Sequence, residues 1–206
     1  MNFIKKHKIL ATVFSVVVIL FGIAAYMVYN PPKVLIQFMF EKGLAINNNK
    51  TTFQDDALYV ITTGTGGPLQ EKGRVSAQTA VIAGDQVLVF DTGSGSTLNL
   101  ELAGVDVSAI DGLFLTHYHS DHIGDLGELM LKRWASNTVT EPLAIYGPVG
   151  LEQVLTGFED AYQLDKQYRI DHHGTEMLPP EAFGGQANEF DLGTDLAASE
   201  VVYTSG

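Results

Sequence analysis

Thr116-His117-Tyr118-His119-Ser120-Asp121-His122 gathers four metal-ligating side chains into six positions. His117 and His119 lie two apart just after an apolar run. In an extended segment both imidazoles therefore point to the same side. Asp121 and His122 come next, at the turn into a helix. The chain contains no cysteine, so disulfides, thiolate ligands and a cysteine nucleophile are all excluded, and any metal must be held by nitrogen and oxygen. Imidazole with carboxylate suits Zn²⁺, and also Fe or Mn. A loop fixed by a strand before it and a helix after it is where rigid scaffolds present catalytic groups. The bland alternative is a set of surface histidines at a strand end. The crowding of three of the six histidines with an aspartate argues against it.

Outward from this cluster the chain reads as strands alternating with helices. Ala109-Ile110-Asp111-Gly112-Leu113-Phe114-Leu115 predicts a buried strand that delivers the cluster. Ile123 to Trp134 predicts an amphipathic helix that leaves it, with Ile123, Leu126, Leu129, Met130 and Trp134 on one face and a Glu128/Lys132 pair on the other. Upstream, Leu58–Thr62, Thr79–Ala83 and Gln86–Phe90 read as strands, the last two joined by the hairpin signal Gly84-Asp85. A helix starts near Ser96 as an N-cap, with Leu98 and Leu102 turned inward. Downstream, Leu143–Tyr146 is a strand. Gly147-Pro148 then opens a helix with Leu151, Val154, Leu155 and Phe158 at core spacing. The closing Val201–Gly206 resembles a strand entering a turn. This is the pattern of an α/β layered fold, with hairpins early and βα units later.

The pattern H-x-H-x-D-H is specific, and it resembles the signature of the metallo-β-lactamase superfamily. Asp91-Thr92-Gly93-Ser94-Gly95, after a strand, looks like that family's D-x-G loop. Thr63-Gly64-Thr65-Gly66-Gly67-Pro68 and Ile145-Tyr146-Gly147-Pro148 are similar to stretches of its ribonuclease Z-like branch. The resemblance covers residues 57–206. It implies an αββα sandwich, incomplete here, and two Zn²⁺ per domain. His117 and His119 would bind the first metal, and Asp121 and His122 the second. Asp121 would also act in catalysis as acceptor of a proton from the nucleophilic water, and Asp91 would orient the ligand histidines. The remaining ligands of the family, a His, a bridging Asp and a last His, are expected beyond residue 206. His172-His173 is a further candidate for a ligand or substrate contact, against a plain loop pair. His7 belongs to the leader.

That leader, Met1 to Lys8, is basic, and Ile9 to Tyr29 runs 21 residues without a charge, enough helix for a bilayer core. The reading is a signal anchor or signal peptide over 1–30, a juxtamembrane linker over 31–56 and the hydrolase part over 57–206. The domain is then expected on the membrane with its body outside the cytoplasm, periplasmic or extracellular, or secreted if the leader is cleaved after Gly22-Ile23-Ala24. The chain carries 24 acidic and 12 basic residues, three of the latter in the leader, so the body bears a net charge of −15. Such a surface argues against nucleic acid. The expectation is therefore a metal-dependent hydrolase, a ribonuclease Z-like phosphodiesterase or sulfate-ester hydrolase acting on a small-molecule ester or phosphodiester. The alternatives are a tRNA 3′-processing endoribonuclease, a lactonase, or a non-catalytic degenerate metal-binding module.

Overall fold

The computed structural model describes residues 3–30, 32, 57–69, 71–191, 193, 199 and 201–204, with backbone alone at 3–13, 24 and 28. The linker expected over 31–56 lies outside the described residues except for Pro32. The chain divides into two compact units, 1–48 and 49–206.

Among the described residues of the first unit one helix, α1, spans Phe3–Tyr29. It follows from an unbroken run of residues with neither proline nor charge after Lys8, ended by Pro31-Pro32. Its described side chains, Phe14 and Phe21 among them, are exposed. Among the described residues no helix is long and apolar enough to cross a membrane. The spanning expectation thus finds no support in the structure.

The second unit is built on one six-stranded sheet whose strand order equals the chain order. Its strands are β1 (Leu58–Gly64), β2 (Gln78–Ala83), β3 (Gln86–Phe90), β4 (Ile110–Phe114), β5 (Leu143–Pro148) and β6 (Gly185–Phe190). β1, β2 and β3 pair antiparallel. The β2–β3 hairpin closes with Ala83 opposite Gln86, and Gly84 supplies the positive φ of 61° that the tight turn needs. From β3 to β6 each pair is parallel. Parallel neighbours require crossovers, and helices supply them: α2 (Ser96–Leu102), α3 (Ser120–Ile123), α4 (Leu126–Ala135) and α5 (Leu151–His173).

Alternation along the strands decides which side is core. Ala80, Ile82, Val87, Val89, Leu143 and Ile145 are buried in one cluster with Leu100, Leu126, Leu129, Met130, Leu151 and Leu155 of the helices. On the other face Phe90, Phe114 and Tyr146 stack in a row at 5.0 and 4.8 Å between ring centres, with Tyr203 edge-on against Phe114 and Tyr146. A smaller cluster gathers around Trp134, whose indole Nε1 donates to Pro179 O at 2.7 Å. The result is a mixed α/β sheet with helices, as expected in outline.

Four local expectations are corrected. α2 turns Leu98 and Leu102 outward, 54% and 76% exposed, and buries Ser96, Thr97 and Leu100. Asn99 Nδ2 donates to Thr63 O and Asp125 accepts from Thr97 N, and these polar bonds set the rotation of so short a helix. Its N-cap is Gly95 rather than Ser96. The stretch from Ile123 to Trp134 is two helices, broken at Gly124-Asp125, where Asp125 N donates to Thr92 O. The inward face is nevertheless as expected at Leu126, Leu129, Met130 and Trp134. Residues 201–204 form no strand.

Two outcomes follow. Leu113 sits fully buried on a central strand, so Leu113→Ala should lower stability by about 2–5 kcal/mol, read as a fall in the urea midpoint at constant slope. Lys132 contacts Glu101 at 2.5 Å and Glu128 at 3.2 Å. Burial lowers its pKa, but the two carboxylates together outweigh that and raise it above the ordinary lysine value. A raised folded pKa stabilises below the unfolded value and is lost as pH rises through the folded one. Melting temperature should therefore fall less steeply above about pH 10.4 in Lys132→Met than in the parent.

Candidate metal centre

Because β3, β4, β5 and β6 are parallel, their carboxyl ends share one rim, and ligands of open α/β sheets bind outside that rim. Asp91 follows β3, the Thr116–His122 cluster follows β4, Gly147-Pro148 closes β5, and Glu189 lies near the end of β6. The strand order therefore assembles from four distant segments what the sequence shows as one motif and some isolated residues.

Asp91 is the centre of the assembly. It is 6% exposed and sits at φ 60°, a left-handed conformation that aspartate tolerates better than most residues. Its backbone N–H donates to Phe114 O, tying the ends of β3 and β4. Its carboxylate accepts from Thr116 N at 2.9 Å, from the Thr116 hydroxyl at 3.0 Å and from His122 Nδ1 at 2.8 Å. A carboxylate only accepts, so His122 carries its proton on Nδ1 and leaves the Nε2 lone pair free. The same logic passes through Thr116. Its one proton goes to Asp91, so its oxygen accepts from His117 Nδ1 at 3.1 Å and leaves His117 Nε2 as a lone-pair donor. The loop allows this close approach because residue 93 is glycine. A Cβ there would press on the Asp121 carbonyl and stand 2.7 Å from Ala77 N. Thr92 N donates to His122 O, which pins the loop to α3 from the other side.

The donors come as two pairs. His117 Nε2 and His119 Nδ1 are 3.1 Å apart, and Asp121 Oδ2 and His122 Nε2 are 3.5 Å apart. Two donors each 2.0–2.2 Å from one tetrahedral ion stand about 3.3–3.6 Å apart, so the second spacing matches two ligands of a shared ion and the first is slightly shorter. Among the described residues no group of three or more His, Cys, Asp or Glu is placed to hold one ion. The two pairs bring together nitrogen and oxygen donors, a chemistry that suits zinc.

Beside Asp121 opens a cavity of about 280 Å³, with Gly66, Gly67, Arg74, Ser76, Ser94 and Ser120 in its wall. Arg74 pairs with Glu71 at 3.3 Å. Sequence reasoning missed Arg74 and the serines as wall residues, and Thr116 as the link between Asp91 and His117. Thr116 was in view within the quoted motif, but nothing in its spacing marked its role. Tyr118, inside the motif, donates its hydroxyl to Pro148 O. Burial first, and then the nearby Glu189, push its phenol up to about 12, so it stays a neutral donor. His172 and His173 end α5 rather than forming a loop. Some 21 residues of helix separate His172 from Leu151 at the rim, a rise of about 30 Å, which removes the pair from this constellation.

Asp91→Asn keeps the left-handed backbone accessible and removes the charge that fixes both tautomers. Zinc affinity should fall by about 10–100-fold, read by competition with a chromophoric chelator, while the circular dichroism spectrum stays that of the parent. An unchanged affinity would separate Asp91 from the donors.

The model of the metallo-beta-lactamase superfamily matches residues 73–195. The chain is 40% identical over 123 residues to a ribonuclease Z of Mycolicibacterium gilvum, covering 59% of this chain and 43% of that protein. It is 38% identical over 123 residues to a ribonuclease Z of Mycolicibacterium paratuberculosis, covering 59% and 44%. The chain thus spans less than half the length of these relatives. Among solved structures, a metallo-beta-lactamase fold protein from Bacillus subtilis superposes with a TM-score of 0.47 at 23% identity, over 70% of this chain and 49% of that one. Similarity to ribonucleases overturns the expectation that a small molecule is the partner and nucleic acid is not. The charge argument failed because net charge is a sum over the whole surface. A site is governed by its own groups, here Arg74 in the cavity wall. Motif, fold and match together show that the chain belongs to the metallo-beta-lactamase superfamily.

Proposed function

We propose that this chain carries the histidine–aspartate half of a dinuclear metal centre that hydrolyses a phosphodiester bond in RNA, with a 3′-extended tRNA precursor as the substrate class. The observation that carries the reading is the two donor pairs, spaced 3.1 and 3.5 Å, on the carboxyl rim of a parallel sheet. The ribonuclease Z relatives support the choice of substrate.

In this reading His117 and His119 hold one ion through Nε2 and Nδ1, and Asp121 and His122 hold the second through Oδ2 and Nε2. Two such ions, when bound, lower the pKa of a water and polarise a phosphoryl oxygen. Asp91 keeps His122, and through Thr116 His117, in the tautomer whose lone pair faces the ions. Asp121 is buried and lines the cavity, and in this reading it would accept a proton from the attacking water. Arg74, on the cavity wall, offers a planar fork to the phosphate next to the scissile one. Zinc is the preferred ion for this donor set, with iron or manganese as alternatives.

The test is cleavage of a 3′-extended tRNA precursor by the purified chain loaded with zinc, beside a His117→Ala/His119→Ala variant whose metal content is measured in parallel. The variant should lose bound metal, and cleavage should drop by more than the roughly 10–100-fold that loss of an outer hydrogen-bond partner costs. Chelation should abolish the parent's activity and added zinc restore it. Equal cleavage by parent and variant would sink the reading.

A further inference from the structure

The residue between the two histidines of the first pair has a defined place of its own. His119 is extended, at φ −67° and ψ 149°, so side chains alternate along this stretch: His117 and His119 on one side, Tyr118 on the other. Tyr118 reaches the turn between β5 and α5. Its hydroxyl donates to Pro148 O. Its ring lies against two glycines: a Cβ on Gly147 would stand 2.9 Å from the hydroxyl, and one on Gly150 would stand 3.7 Å from Cε2. Gly150, at φ 102°, is the N-cap of α5, and its N–H and that of Glu152 both donate to Glu189 Oε1 at 3.0 Å. Gly147 is paired with Glu189 across β5 and β6. The turn that receives Tyr118 is thus itself fixed by the neighbouring strand. Leu115 N, three residues before Tyr118, donates to Tyr146 O and brings the two strand ends together.

We propose that Tyr118 is a positioning residue for the first metal pair: hydroxyl on Pro148 O and ring against Gly147 and Gly150, it holds the backbone between His117 and His119 so that their donor nitrogens keep the spacing of two ligands on one ion. Asp91 and Thr116 set which nitrogen of His117 faces the site; Tyr118 sets where the segment lies. The sequence makes the same division, since the position between the histidines is free of ligand duty and points away from the metal side. Glycine at 147 is then required by the space that the phenol occupies.

The proposal rests on reading His117 and His119 as ligands, and the experiment separates the two. Zinc affinity is measured by chelator competition on the full chain, for the parent, Tyr118→Phe, Gly147→Ala and the double variant, with hydrogen exchange across 115–122 followed in each. Absence of zinc binding by the parent refutes the ligand reading directly and takes the proposal with it. If the parent binds, Tyr118→Phe should lose about tenfold in zinc affinity and exchange faster across this segment, while the far-ultraviolet spectrum is unchanged. Gly147→Ala should weaken binding in the same way, because its Cβ collides with the hydroxyl. Deleting the hydroxyl relieves that collision, so the double variant should bind no worse than Tyr118→Phe alone, a non-additivity that general destabilisation does not produce. A folded Tyr118→Phe that binds zinc as the parent does, or strictly additive losses, would overturn the proposal.

Discussion

A carboxylate buried at the end of a strand has to be satisfied or neutralised, because leaving it bare costs far more than any single contact returns. Asp91 meets that requirement with one backbone N–H, one hydroxyl and one imidazole, all from the segment after the adjacent strand. The strand ends must therefore be in register, the loop must turn through a left-handed residue, and glycine must follow where the backbones touch. The positions of His117 and His122 are consequences of satisfying one charge. The same bonds fix their tautomers, so a requirement of folding and, on the proposed reading, a requirement of metal binding fall on one side chain.

The sheet supplies the remaining organisation. Antiparallel pairing through β3 and parallel pairing after it place the ends of β3, β4, β5 and β6 on one rim. The helices cover one face, so the apolar residues at alternate strand positions drive assembly. Burial of Leu113, Leu143 and Ile145 thus holds in place a set of polar groups that none of them touches chemically.

Much of this was legible because it is local. The H-x-H-x-D-H spacing, the alternation in β2 and β3, the Gly84 hairpin and the Leu126, Leu129, Met130 and Trp134 face each reside within a dozen residues. What was illegible depends on partners elsewhere. Leu98 and Leu102 looked like a core stripe, but a seven-residue helix takes its rotation from polar bonds to Thr63 and Asp125. β6 escaped notice because Gly185-Gln186-Ala187-Asn188-Glu189-Phe190 lacks the β-branched residues that mark a strand, and it is recruited by its pairing with β5. Thr116 and Tyr118 were in full view, yet their roles require Asp91 and Pro148, 25 and 30 residues away. The surface-charge argument misled for a related reason, since it averages over the molecule and says nothing of any one site.

The coincidence of strand order with chain order has a kinetic consequence. Each strand pairs with the one made immediately before it, so as the chain emerges during synthesis every new strand meets an edge that is already in place. Closing each link costs only the entropy of its own connection, which grows slowly with length. No strand has to wait for a distant segment or be threaded between two others. The sheet can thus grow by addition beside the newest strand, in step with translation, so that only that growing edge changes while the outer edge of β1 stays as it was.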